Sequence, residues 1–269
     1  MGAAAEFASR VRAREQVVGY WVVLDAPPAT ERIARAGYDY VVLDAQHGLL
    51  GYEGLLRGLL AVDAAAGAGS GAVGLVRVES GEAAAIGHAL DAGAAGVVVP
   101  LVSSPAEAAA VVAAARYPPQ GVRSFGPMRS GLRIGPDPQA SNEAVLVLAM
   151  IETPGGLAEV AEIARTPGLD GLYIGPNDLR LALGAATPDD PAFDDQLAEA
   201  LTRVREACDA AGIAAGIFTP SGEVAAQRLR EGFTFVTVAL DLVHLEQAAR
   251  AHLDVARRAV AGSQPDAQG

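Results

Sequence analysis

Lysine is absent from this chain of 269 residues, in which all 20 basic side chains are arginines. Chemistry that needs a side-chain amine is excluded with it: no Schiff-base lysine, no pyridoxal phosphate (PLP) held on lysine, and no P-loop lysine. Cysteine is nearly absent too. Cys208 stands alone, so a disulfide framework and a thiolate zinc site are ruled out. Cationic charge is scarce: 32 acidic residues leave a net charge of −12. A chain of that sign repels phosphate backbones, so no nucleic-acid partner is expected. No apolar run reaches the roughly 18 residues of a membrane span. The start MGAAAEFASRVRARE lacks the apolar core of a secretion signal, and Glu6 stands where a myristoylation motif wants Ser or Thr. A cytoplasmic enzyme with no membrane partner is the expectation. Aromatics make up only 5% of the residues, yet 51% are hydrophobic, which rules out disorder and points to a core of Ala, Val and Leu.

What is present is a regular alternation of short β-branched runs and Ala-rich helical stretches, the mark of βαβ units around a parallel sheet. Strands are expected near Val17–Leu24, Tyr40–Asp44, Val73–Val78, Gly96–Val99, Val145–Glu152, Gly171–Gly175, Ile213–Phe218 and Phe233–Val238. Their unbroken hydrophobicity suits strands covered on both faces. Helices are expected around Ala29–Ala36, Tyr52–Ala65, Glu82–Asp91, Pro105–Ala115, Leu157–Arg165, Ala192–Ala211, Ser221–Arg230 and Asp241–Val260. The equal count predicts a single (β/α)8 TIM barrel over residues 1–261, with 262–269 as a polar tail. Ser104, Ser221 and the Asp189-Asp190-Pro191 run read as helix caps. The stretch Arg116–Asn142, rich in Pro, Gly and Arg, is long enough to be read as a functional loop. Gly67–Gly71 leads from a helix into a strand, so it reads as a loop at the far end of the barrel and not as a phosphate cradle.

Barrel enzymes carry their reacting groups at the carboxyl ends of strands. There the second strand presents Asp44, Gln46 and His47, the third Arg77, the fifth Glu152 and the sixth Asp178. Glu152 and Asp178 form an oxygen-rich half-site suited to a hard divalent ion such as Mg²⁺ or Mn²⁺. A general acid/base pair, or a helix cap and a turn, are the alternatives. His47 fits a general base near neutral pH, or a structural histidine. Arg77 among apolar neighbours must meet an anion or a buried acid. Asp91 either caps its turn or reaches a histidine at the barrel top. His88, His244 and His252 read as structural or solvated, and Arg123 as either a solvated or a lid residue.

Taken in order, YDYVVLDAQHG, LVRVES, ALDAGAAGVVVPLVSSPAEA, ARYPPQGVR, MIETPGGL and GLDGLYIGPNDLRLALG resemble the HpcH/HpaI aldolase family from about Val17 to Val260. The resemblance implies a (β/α)8 barrel and a class II aldolase, similar to 4-hydroxy-2-oxoheptanedioate and 2-keto-3-deoxy sugar acid aldolases. Such an enzyme joins the enolate of pyruvate, or a related 2-oxo acid, to an aldehyde with a divalent ion (Mg²⁺, Mn²⁺ or Co²⁺). Glu152 and Asp178 become the metal ligands, His47 the base, and Asp91 the residue that orients it. Arg77 holds the donor's oxyanion, Asp44 supports the site, and Gly175 and Pro176 line the donor pocket. A homo-oligomer is implied, a hexamer in which the helix Asp241–Val260 packs on a neighbour. Two positions depart from familiar members: Gln46 replaces an acid and so joins the substrate-binding candidates, and Met150 replaces a polar residue. Two other readings are a lyase of the citrate-lyase-β or malyl-CoA-lyase type, recruiting Arg123, Arg129 and Arg133 for acyl-CoA phosphates, and a non-catalytic metabolite-binding barrel.

Overall fold

The structure, a computed structural model, describes residues 2–67, 69 and 71–261. The expected polar tail and part of the Gly67–Gly71 loop therefore lie outside the described residues. The strands β1 (Val17–Val22), β2 (Tyr40–Asp44), β3 (Val73–Arg77), β4 (Gly96–Val99), β5 (Leu146–Met150), β6 (Gly171–Ile174), β7 (Ala214–Thr219) and β8 (Phe235–Leu240) pair in parallel, each with its sequence neighbour. β8 returns to β1, closing a (β/α)8 barrel.

Thirteen helices are described: α1 (Ala3–Arg12), α2 (Pro27–Ala34), α3 (Tyr52–Gly67), α4 (Ala83–Asp91), α5 (Pro105–Ala115), α6 (Ser130–Arg133), α7 (Pro138–Ala144), α8 (Pro154–Ala158), α9 (Val160–Ala164), α10 (Pro176–Ala182), α11 (Asp194–Ala211), α12 (Gly222–Arg230) and α13 (Asp241–Ala261). The stretch read as one helix over Leu157–Arg165 is two, parted at Glu159. The helices α1, α6, α7 and α10 are additions to the expected set. Ser104 and Ser221 cap as their spacing suggests, accepting from the Glu107 and Val224 N–H groups. Asp190 accepts from Ala192 at the start of a 3₁₀ turn.

Two layers of apolar packing hold the barrel. One lies between strands and outer helices and runs through Val41, Leu59, Ile86, Val111 and Val204. The other fills the interior with Val42, Leu75, Leu148, Tyr173 and Phe235. Helix α1 closes the amino end of that interior: Phe7 is buried, 5.8 Å from the Tyr40 ring and 6.3 Å from Phe235. Burial of one such ring contributes roughly 1.5–3 kcal/mol. Gly19 makes room for this packing, since a Cβ there would lie 2.2 Å from the Tyr40 ring.

Barrel direction assigns every connection to an end. Segments from a strand to a helix lie at the carboxyl end, and segments from a helix to the next strand lie at the amino end. The long Arg116–Asn142 stretch joins α5 to β5 and contains α6 and much of α7. It lies at the amino end, away from the rim where the sequence places the chemistry. A loop expected to be functional is thus, within one chain, part of the floor.

Candidate active site

The carboxyl rim brings together most of the predicted side chains. A cavity of about 220 Å³ is lined by Asp44, His47, Arg77, Met150, Gly175, Pro176 and Asp178, with Trp21 and Phe218 on its apolar side. The register sets the first contact, because Asp44 on β2 lies beside Arg77 on β3. Arg77 donates through Nε to Asp44 Oδ1 at 2.9 Å and through Nη2 to Oδ2. The same carboxylate accepts from Trp21 Nε1 at 3.1 Å and from the backbone N–H groups of Gln46 and His47 at 3.0 and 3.2 Å. Burial alone would raise the Asp44 carboxyl, but Arg77, Trp21 and the His47 N–H outweigh it and hold it below its ordinary range. Arg77 Nη1 has no hydrogen-bond partner among the described residues.

Glu152 follows β5 and is only 4% exposed. It caps no helix, since Thr153 Oγ1 does so by accepting from the Gly156 N–H at 3.0 Å. Its Oε1 accepts from the Leu101 N–H at 2.9 Å, while Oε2 is buried without a partner. Leu101 has φ of 60°, a left-handed conformation costly for a leucine, and this turn delivers its N–H to the carboxylate. Burial pushes the Glu152 carboxyl up to about 7; the Leu101 bond opposes this, Asp178 adds to it, and Arg77 opposes it. Asp178 stands in the first turn of α10, exposed, and accepts no hydrogen bond among the described residues. The two acids meet over Gly175, where an added Cβ would lie 2.7 Å from Glu152 Oε2 and 3.4 Å from Asp178 Oδ2. A side chain at 175 would fill the space that both oxygens face.

This arrangement fits a hard cation by its donor chemistry: an orphaned buried oxygen, a second oxygen converging on it, and no guanidinium between them. Among the described residues no group of three or more metal-ligating side chains occurs. Other positions around an ion would have to be filled by substrate or water oxygens.

Three predicted positions behave differently. Asp91 ends α4 at the amino end of the barrel, where its Oδ1 accepts from Arg123 at 2.7 Å. Within the chain it makes no hydrogen bond to His47, because a helix that follows a strand carries its last residue to the opposite end. His47 is exposed, with its imidazole unpaired among the described residues. Gln46 is bound through its backbone N–H, its Oε1 is buried without a partner, and it is not among the cavity residues. Arg123, Arg129 and Arg133 are also at the amino end: Arg123 stacks on Tyr117 and pairs with Asp91, and the other two pair with Asp63. Among the described residues Arg77 is the one arginine that lines the rim cavity, and within one chain the three arginines considered for acyl-CoA phosphates do not line it. Of the remaining histidines, His244 Nδ1 bonds Tyr20 OH at 2.8 Å and His88 lies against Tyr52.

Sequence reasoning passed over Trp21, Phe218 and Leu240. In hydrophobic strands they read as core, and only the register shows them facing the cavity. At Leu240 a bulge intervenes: Tyr20 pairs with Val238 and Trp21 with Leu240, so Ala239, at φ of 52°, is the extra residue.

The closed parallel barrel has acids, a histidine and an arginine at its carboxyl rim, and the known proteins it resembles make it a carbon–carbon lyase of the TIM-barrel class. The HpcH/HpaI aldolase/citrate lyase model matches residues 17–248, and the chain belongs to that family. It is 42% identical to a hydroxypyruvate/pyruvate aldolase of Rhizorhabdus wittichii, over 86% of this chain and 90% of the relative. Identity to a 4-hydroxy-2-oxovalerate aldolase of Rhodococcus jostii is 38%, over 83% and 85%. A crystal structure of a family member from Burkholderia cenocepacia superposes with a TM-score of 0.85 at 32% identity, covering 94% of this chain and 99% of that one.

Proposed function

We propose that this chain is a divalent-metal-dependent aldolase that joins pyruvate, or a related 2-oxo acid such as hydroxypyruvate, to an aldehyde, and cleaves the resulting 4-hydroxy-2-oxo acid in reverse. One observation carries the reading: Glu152 Oε2 and Asp178 Oδ2 converge over Gly175, and Gly175 and Asp178 line the same cavity as Arg77 and His47. The names of the relatives agree with it.

Glu152 and Asp178 would hold the ion, and Gly175 would leave space for it. Bound there, Mg²⁺, Mn²⁺ or Co²⁺ supplies a Lewis acid toward the donor's keto oxygen. Arg77, fixed on Asp44, offers its remaining Nη1–H to negative charge developing on that oxygen. His47 accepts the proton that leaves C3 of the donor. In cleavage it takes the proton of the C4 hydroxyl, the C3–C4 bond breaks, and the aldehyde departs from the enolate. Trp21, Phe218 and Met150 make the rest of the wall apolar.

The reading extends to assembly. Leu242, Val243, Leu245, Leu253 and Val255 of α13 are exposed, and a homo-oligomer packed through this helix, a hexamer, would cover them. Within its own chain Asp91 pairs with Arg123 at the end opposite His47, so a role in orienting that histidine would require a neighbouring copy. A cytoplasmic setting agrees with substrates that are intracellular 2-oxo acids.

The test is exchange of pyruvate methyl protons with deuterated water, followed by NMR with Mn²⁺ and again in EDTA. Exchange is expected only with the ion. Glu152→Gln and Asp178→Asn should each lower it about a thousandfold and weaken Mn²⁺ binding. His47→Asn should lower it about a hundredfold or more with Mn²⁺ binding unchanged. Full exchange by metal-stripped protein would overturn the reading.

A further inference from the structure

Trp21 touches both members of the buried Asp44–Arg77 pair and is itself 4% exposed. Its indole Nε1–H donates to Asp44 Oδ2 at 3.1 Å, and its ring lies 4.9 Å from the Arg77 guanidinium carbon. Asp44 therefore grips the guanidinium at its edge while Trp21 supports its face. We infer that Trp21 is the positioning residue that keeps Arg77 aimed into the cavity for the donor's oxyanion. The inference rests on the aldolase reading for the identity of that anion, and on the contacts alone for the positioning.

The physical need for such a residue is specific. A guanidinium already paired to a carboxylate has two partners competing for it once an anionic donor arrives, and a swing toward the donor would break the fork with Asp44. A third group that hydrogen-bonds Asp44 and stacks on Arg77 lets the pair meet the donor without moving, so no reorganisation is needed in the reaction. Cation–π support is strongest on indole and gains further when the pair is shielded from water.

Trp21 is in turn held in place. Tyr173 lies 5.7 Å from it between ring centroids, and Phe218 meets it edge-on at 6.1 Å. The bulge at Ala239 sets Leu240 opposite it across the β1–β8 seam. None of these neighbours has a charge that could replace the indole on Asp44.

Two substitutions separate the contacts. Trp21→Phe keeps a ring under Arg77 and removes the N–H; Trp21→Leu removes both. In the methyl-proton exchange assay Trp21→Phe should lower kcat about tenfold, the loss of one hydrogen bond to a charged acceptor, with the KM for pyruvate within about threefold. Trp21→Leu should lower kcat further. Mn²⁺ affinity, read by EPR, should stay at the wild-type value in both, because neither contact involves Glu152 or Asp178. The Arg77 Nε–H resonance in ¹⁵N NMR should be sharp in the wild type, weakened in Trp21→Phe and lost to exchange in Trp21→Leu. Equal kcat values in all three proteins, or an Arg77 resonance unchanged in Trp21→Leu, would overturn the assignment, as would a parallel fall in Mn²⁺ affinity. If the wild-type protein exchanges no methyl proton with any divalent ion, the aldolase reading fails and the Arg77 resonance alone decides the role of Trp21. Because Trp21 is the chain's single tryptophan, quenching of its intrinsic fluorescence by pyruvate in the wild type gives a direct check that the donor binds beside it.

Discussion

At the amino end of the barrel Asp170 is 6% exposed and accepts from Arg12 at 2.7 Å, Arg116 at 3.0 Å and the Val147 N–H at 2.8 Å. At the carboxyl end Glu152 is 4% exposed, yet one of its oxygens has no partner and no guanidinium touches it. The floor pairs its acids as well at Asp91 with Arg123 and at Asp63 with Arg129 and Arg133. Burying a carboxylate is costly unless a donor or counter-charge compensates it, so the floor has spent its arginines on stability. The rim keeps one oxygen of a buried acid uncompensated, which agrees with the cation proposed to sit there. The contrast separates these two buried acids: Asp170, held by guanidinium partners, serves the fold, and Glu152, with none, belongs to the site, where Asp44 instead carries Arg77.

The contrast breaks most visibly at Asp170. Asp170→Ala strands Arg116, whose side chain is 6% exposed and which burial already pushes below its ordinary range. A loss of about 3–5 kcal/mol in urea unfolding is expected, with kcat of the surviving folded protein unchanged. The mirror substitution Glu152→Gln should be neutral or stabilising in metal-free protein, because it removes a buried acid that has no counter-charge. Equal destabilisation at the two ends would erase the distinction.

A somewhat smaller effect sharpens it through pH. The folded Glu152 carboxyl keeps its proton up to about 7, whereas an unfolded chain releases it near the ordinary 4.5. Between those values the folded state binds the extra proton, so metal-free stability contributed by this group falls as pH rises through the window. The difference between wild type and Glu152→Gln in EDTA should therefore shift against the wild type from pH 4.5 to 7, by on the order of 3 kcal/mol. Saturating Mn²⁺ should reverse the slope, since the ion binds the ionised carboxylate. A difference flat across that window would mean that Glu152 titrates as an ordinary surface acid.

How much of this was readable beforehand follows the same division. Asp44, His47, Arg77, Glu152 and Asp178 announce themselves because each ends a hydrophobic run or follows it within four residues, and a barrel's strand ends are its working end. Asp91 does not, because it follows a helix, and only the direction of α4 shows that it lies at the floor. Trp21 is hidden for another reason. In VVGYWVV every residue is apolar, and which of them faces the interior depends on the stagger of β1 against β2 and on the bulge at Ala239. Helix α1 went unread although Phe7, Ala8 and Val11 make an apolar face at helical spacing. A short amphipathic start is weighed as a leader before it is weighed as the plug of a barrel.

The smallest effect concerns backbone strain, which occurs at both ends. Arg14 has φ of 59° at the floor and Leu101 φ of 60° at the rim. Arg14 closes off α1 and pairs with Asp209, so its conformation serves a fold contact. Leu101 is 55% exposed, and what its conformation secures is one N–H aimed at Glu152. Leu101→Gly should relieve about 1 kcal/mol of left-handed strain. The wider freedom of glycine in the unfolded chain costs nearly as much, so thermal stability should move by less than about 1 kcal/mol. The N–H survives the change, and Mn²⁺ affinity should hold within about twofold. A large loss of Mn²⁺ affinity in a stably folded Leu101→Gly protein would show that the leucine side chain, not its backbone donor, sets the carboxylate. The rim would then depend on packing in the same way as the floor.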